Sequence, residues 1–95
     1  MTDAPPLPTI DFYERADCPA CEEARHALQQ VLEDRSKRGE PVARIRYIDI
    51  GGHSAFEARF GYMVPVLVAG SRQLSLTTSY QAIARFVDSV LPRVV

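Results

Sequence analysis

The sequence lacks an excess of charge of either sign: 11 Lys and Arg stand against 12 Asp and Glu, a formal net charge of −1. Without a basic excess there is no electrostatic footprint for nucleic acid, and an aromatic share of 8% leaves few platforms for base stacking. No run of about 18 apolar residues occurs, so no segment is expected to span a membrane. Met1 to Pro8 has no basic start, no apolar stretch and no small-residue cleavage site, so it does not read as a signal peptide, and the expected location is the cytoplasm. Cysteine is scarce, two in 95 residues, which excludes the disulfide framework of small secreted domains. Two cysteines suffice for one bond, for redox chemistry or for part of a metal site. The length allows one domain and is too short for a (β/α)8 barrel or a complete dinucleotide-binding sheet.

What is present is a 46% hydrophobic, 24% charged chain, ordinary for a folded domain, patterned in alternating periods. The prolines at 5, 6 and 8 mark residues 1–8 as a loose N-terminal arm, with the domain expected over 9–95. Thr9 to Glu14 alternates as a strand, Ile10 and Phe12 to one side and Asp11 and Tyr13 to the other. After Arg15-Ala16-Asp17, a helix opens at Cys18-Pro19-Ala20-Cys21, with Pro19 suited to its first position. Ala24, Leu28, Val31 and Leu32 form its apolar stripe, Arg35, Lys37 and Arg38 end the run, and Gly39 stops it. Val42 to Ile50 reads as a second strand. Ser54 and Glu57 match a capping box for a short helix carrying Phe56 and Phe60. Val64 to Ala69 and Arg72 to Leu76 read as strands joined by a Gly70-Ser71 hairpin turn. Thr78 and Gln81 match a second capping box, opening a helix with Ile83, Phe86, Val87 and Val90 that ends near Pro92. The expected fold is α/β: a four-stranded mixed sheet, βαβ then ββα, with helices on both faces.

The strong chemical signal is Cys18-Pro19-Ala20-Cys21 at a strand-to-helix junction, the edge of an α/β sheet where ligands sit. A thiol at a helix N-terminus meets unpaired N–H donors and the positive end of the dipole, and both stabilise the thiolate that attacks disulfides. Cys21 lies one turn on and begins the apolar stripe, so it is expected to be the more buried. Cys18 is therefore the expected nucleophile and Cys21 the resolving thiol. Asp17, and more weakly Glu22 and Glu23, disfavour a second negative charge. The Cys18 pKa is accordingly expected toward the thioredoxin end of the range, about 7.

Together with Ile10-Asp11-Phe12-Tyr13 and with Met63-Val64-Pro65 before Val66-Leu67-Val68, this motif resembles the thioredoxin superfamily on its glutaredoxin-like side. It is most similar to the small bacterial glutaredoxin-like proteins, over Thr9 to Leu91. The resemblance implies a thiol-disulfide oxidoreductase, with Cys18 and Cys21 catalytic, acting on protein disulfides or glutathione mixed disulfides. It implies a cis Pro65 facing the cysteines and a Val64 backbone that pairs with the bound disulfide peptide or with glutathione. Arg15 matches the position of a basic residue that supports the thiolate and touches glutathione. No cofactor is implied, with glutathione or a thioredoxin-type reductase as electron source. Two departures separate the chain from plain thioredoxin: no tryptophan precedes Cys18, and Phe12 takes the place of the buried acid. The glutaredoxin pattern after the hairpin, a Gly pair followed by acidic residues, is also missing from Gln73 to Thr78. Helix-start N–H groups there, with Thr77 or Thr78, can still hold the glutathione carboxylate, although an N-cap role for Thr78 is simpler.

Two other readings of the pair stay open. One is a redox-inactive thioredoxin-fold binding or regulatory module that docks a peptide along Val64. The other is a metal-handling protein using Cys18 and Cys21, although neither His26 nor His53 completes a usual zinc spacing. His26 is expected exposed on the first helix and His53 at the entry of the short one. Arg44 and Arg46 are expected on one solvated strand face.

Overall fold

The computed structural model describes residues 7–91. Residues 1–6 of the expected arm, and Pro92 as a helix stop, lie outside the described residues. β1 (Thr9–Glu14) pairs in parallel with β2 (Arg44–Asp49) through α1 (Pro19–Lys37), and antiparallel with β3 (Val66–Ala69). β3 turns antiparallel into β4 (Arg72–Ser75), giving the order β2-β1-β3-β4. α2 (Ser54–Phe60) joins β2 to β3, and α3 (Tyr80–Val90) follows β4. This is the expected mixed α/β architecture.

The period of two along β1 sorts the core into two layers. Ile10 and Phe12 point to one face and pack with Ala24, Leu28 and Val31 of α1, Ile83 and Val87 of α3, and Leu67. Tyr13 points to the other, where it packs with Phe60 of α2, Ile50 and Val66. The Tyr13 ring lies 4.5 Å from Phe60 and 5.2 Å from Phe56, in tilted geometry. The central strand is thereby fixed from both sides, and with it the loop leading to Cys18.

The strands are shorter than the alternation suggests. β2 spans Arg44–Asp49 rather than 42–50, because Pro41 interrupts the approach and pairing begins with the Arg44 N–H donating to the Pro8 carbonyl at 2.8 Å. β3 starts at Val66, since Pro65, whose bond to Val64 is cis, has no N–H to give a ladder. β4 ends at Ser75 because Leu76 turns to φ 57°; its N–H donates instead to the Met63 and Pro65 carbonyls.

Neither expected capping box forms. His53 occupies the cap of α2 with no side-chain bond, and the Glu57 carboxylate is drawn across the molecule to Arg15. The α3 cap is Ser79, whose Oγ accepts from the Ala82 N–H at 3.3 Å, so Thr78 is not the N-cap. Gly39 does end α1, in the left-handed region at φ 73°.

Arg35 departs most from expectation. Expected only as one of the basic residues that end α1, it is fully buried at 0% exposure. Its Nε donates to the Pro41 carbonyl at 2.7 Å and its Nη1 to Asp88 Oδ1 of α3 at 2.5 Å. One side chain thus holds together the end of α1, the loop after it and α3. Nearby, the Tyr80 hydroxyl donates to Asp34 at 2.5 Å.

That second contact gives a pH signature. The Tyr80 hydroxyl, then the Gln30 amide, hold the Asp34 carboxyl below its ordinary value, and Asp34 holds the Tyr80 hydroxyl above its own. The carboxylate's contribution is present above its unfolded pKa, about 3.9, and is lost as pH falls through the lowered value. The hydroxyl's is present below about 10 and is lost as pH rises through the raised one. Tyr80→Phe is expected to lower Tm slightly at neutral pH, with the two profiles converging at both acid and alkaline ends. A constant offset at every pH would refute this.

Candidate functional site

The C-terminal end of β1 delivers the chain to the site. Arg15 to Asp17 form a turn in which Asp17 takes φ 54°, a left-handed conformation that Asp tolerates better than most residues. Cys18 then caps α1 in extended conformation (φ −119°, ψ 97°), and Pro19 enters the helix where no N–H is needed. The Cys18 Sγ accepts the Cys21 N–H at 3.1 Å, so the sulfur occupies the place of a capping oxygen. Cys18 and Cys21 are joined as a disulfide, their Cα atoms 5.2 Å apart. Cys21 is 1% exposed, whereas Cys18 is half-buried and open to solvent on one side.

In front of the pair lies an open cavity of about 530 Å3, lined by both cysteines, Arg15 to Asp17 and residues from α1 and the end of β2. Arg15 belongs to this wall, and its guanidinium is engaged by Glu57 and Gly61. Its Nη1 and Nη2 donate to Glu57 Oε1 and Oε2 at 2.7 and 3.0 Å, and Nη2 also to the Gly61 carbonyl at 2.9 Å. The hydrogen bond to Glu57 raises the Arg15 pKa further above its already high value. Gly61 is required there, because a Cβ would meet the Glu57 carbonyl oxygen at 2.5 Å.

Val64 and Pro65 do not line this cavity, but they share its end of the sheet. Tyr13 pairs with Val66, so continuing the antiparallel register brings Pro65 level with Glu14 and Val64 level with Arg15. Pro65 is buried and Val64 half-buried. Thr78 is likewise outside the cavity lining. Two residues on, Tyr80 reaches Asp34, which stands 13 positions after Cys21 along α1, a helical distance of about 20 Å. The start of α3 therefore leans on the far half of α1.

Several lining residues had escaped the sequence reading. Arg25, one turn after Cys21, hydrogen-bonds Glu14 and lies 4.0 Å over the Tyr47 ring. Asp49, at the end of β2, accepts the Gly51 N–H at 2.8 Å. Arg25 follows Cys21 at the i+4 spacing of one helix, whereas Asp49 is brought to the cysteines by the parallel register that sets it opposite Glu14, which no local spacing signals. His26 is exposed on α1 and lines the cavity, and His53 is exposed at the start of α2, its ring 5.8 Å from Phe56. Among the described residues, no group of three or more His, Cys, Asp or Glu is placed to hold a metal ion. Arg44 and Arg46 are exposed, with Arg46 forked onto Asp11 at 2.9 Å twice. No helix of the described chain is long and apolar enough to cross a membrane.

Comparison with solved structures gives the same architecture. A structural-genomics target protein from X. campestris is similar in its X-ray form, with TM-score 0.68 and 26% identity over 84% of this chain and 96% of that one. In its solution form the values are 0.66 and 26%, over 90% and 97%. The germline-specific thioredoxin Deadhead from Drosophila melanogaster is similar in fold, with TM-score 0.57 and 15% identity over 87% of this chain and 80% of that one. A mutant thioredoxin from Halobacterium salinarum gives 0.57 and 20%, over 94% and 79%. No curated protein matches by sequence. A thioredoxin-like fold with a cysteine pair at the start of its first helix fits thiol oxidoreductase chemistry in general. Residues 9–88 match the Glutaredoxin-like domain (DUF836), and the chain belongs to that family.

Proposed function

We propose that the protein is a dithiol oxidoreductase that reduces protein disulfides or glutathione mixed disulfides through Cys18 and Cys21. The observation carrying this reading is the unequal setting of the two sulfurs: Cys18 half-buried as the cap of α1, accepting a backbone N–H, and Cys21 buried behind it. In the reduced protein the same N–H and the helix dipole favour a Cys18 thiolate. That thiolate attacks one sulfur of the substrate disulfide. The substrate S–S bond breaks, and the departing sulfur takes up a proton. Cys21, losing its proton, then attacks Cys18 Sγ in the mixed disulfide and releases the second substrate thiol. Two electrons and two protons pass to the substrate, and the protein is left with the Cys18–Cys21 disulfide. Two glutathione thiols, or the dithiol of a thioredoxin-type reductase, return it to the reduced form, and the setting for this is the cytoplasm. Val64 and Pro65, at the same end of the sheet, supply backbone against which the bound chain lies, while Arg15 bounds the cavity.

Alkylation of the reduced protein across pH tests this. Cys18 is expected to react with an apparent pKa below the ordinary thiol value of about 8.5, and well ahead of buried Cys21. A Cys18 that reacts more slowly than a free thiol, with a raised pKa, would sink the proposal.

A further inference from the structure

The charge lining the cavity is lopsided once internal pairs are removed. Of its two arginines, Arg15 is bound to Glu57 and Arg25 to Glu14. Asp17, Glu22 and Asp49 also line it, and none of them forms an ion pair among the described residues. Arg15 and Arg25 also feel Asp49 and Glu22 at longer range, but each is hydrogen-bonded to another carboxylate, so negative charge is in excess around the redox disulfide. A second open cavity of about 430 Å3 lies on the other side of Arg15, bounded by Glu57, Gly61 and Tyr62. Tyr62 is 99% exposed, an aromatic surface with nothing packed on it.

Taken with the dithiol reading above, on which it rests, we infer that this groove selects disulfides in cationic polypeptides and discriminates against anionic ones, glutathione adducts included. A substrate chain seated at Cys18 places its flanking lysines or arginines among Asp17, Glu22 and Asp49. Crossing Arg15, it lays an apolar side chain on Tyr62. Glutathione carries two carboxylates against one ammonium and has no large apolar side chain, so it meets repulsion in the first cavity and gains nothing in the second. Complementary potentials of this kind act mainly on the association rate and fade as salt screens them.

The test is a single-turnover reaction at pH 8. Pre-reduced protein is mixed with two matched disulfide-linked peptides, one flanked by Lys and one by Glu, and with oxidised glutathione. Formation of the Cys18–Cys21 disulfide is followed by alkylation and mass. At low ionic strength the Lys peptide is expected to react about tenfold or more faster than the Glu peptide or glutathione, with the ratio collapsing in high salt. The combined variant Asp17→Asn, Glu22→Gln, Asp49→Asn is expected to bring the ratio near one. Asn suits the left-handed residue 17 and keeps the acceptor used by the Gly51 N–H, and the salt series on the natural chain stands even if this variant folds poorly. Equal rates, a salt-independent ratio, or faster reaction with the Glu peptide or glutathione overturns the inference while leaving the dithiol reading intact. Failure to oxidise Cys18 and Cys21 with any of the three overturns both.

Discussion

Replacing Cys18 by Ser is expected to lower the rate of disulfide reduction by on the order of 10³-fold or more, because a hydroxyl at the same helix cap is not ionised near neutrality and cannot act as the attacking anion. Cys21→Ser is expected to behave differently. Its first step is preserved, so one equivalent of substrate is captured as a mixed disulfide on Cys18 and turnover stops there. Mass measurement of the denatured, alkylated products separates the two outcomes. The asymmetry follows from structure: the cap sulfur receives the Cys21 N–H at 3.1 Å, whereas Cys21 has only 1% of its surface open. A Cys18→Ser protein that keeps half the natural rate, or a Cys21→Ser protein that captures nothing, contradicts the assignment. A binding module without redox activity would keep its partner affinity in both variants.

Arg35→Ala is expected to cost about 3 kcal/mol of stability, read as a shift in the denaturation midpoint with an unchanged slope. The guanidinium is fully buried, and its removal strips a charge partner from Asp88 and a donor from the Pro41 carbonyl. Asp88 is partly open to water, which keeps the loss at the lower end of the range for broken buried pairs. Arg35→Lys retains a charge but not the Nε–H aimed at Pro41, and is expected to recover only part of the loss. A loss below about 0.5 kcal/mol in Arg35→Ala, the size of an ordinary surface change, would show that Arg35 does not fasten α3 to α1.

The same residue shows where sequence reading reaches and where it stops. The alternation of Ile10 and Phe12 against Tyr13, and the stripe Ala24, Leu28, Val31, are local periodicities, and the structure returns them as the two faces of one sheet. The thioredoxin-like topology follows from the order of those periods. Arg35 continues the stripe four positions after Val31, but a cation in a last turn ordinarily points to solvent and complements the helix dipole. Its burial depends on Asp88, 53 residues away, which no local pattern announces. Glu57 taught the same lesson in reverse. Three residues after Ser54 it suggested a cap, but Arg15, 42 positions earlier, competes for the carboxylate with two good hydrogen bonds. The cysteine pair was legible because its chemistry rests on a short-range feature, a thiol at a helix start. The far cavity wall was not, because Asp49 meets Glu14 only through strand register, and Arg25 meets Glu14 only when α1 packs on β1.

The rims of the sheet bear on how this chain meets other polypeptides. One outer strand, β2, shows Arg44 and Arg46 to solvent, and the other, β4, is four residues long and begins with Arg72. Charged side chains on an outer strand, and in β4 its short length, deter a second chain from adding itself along the hydrogen-bonding rim. This disfavours sheet extension along β2 and β4 and leaves the open end of the sheet, where Cys18 meets solvent, less guarded.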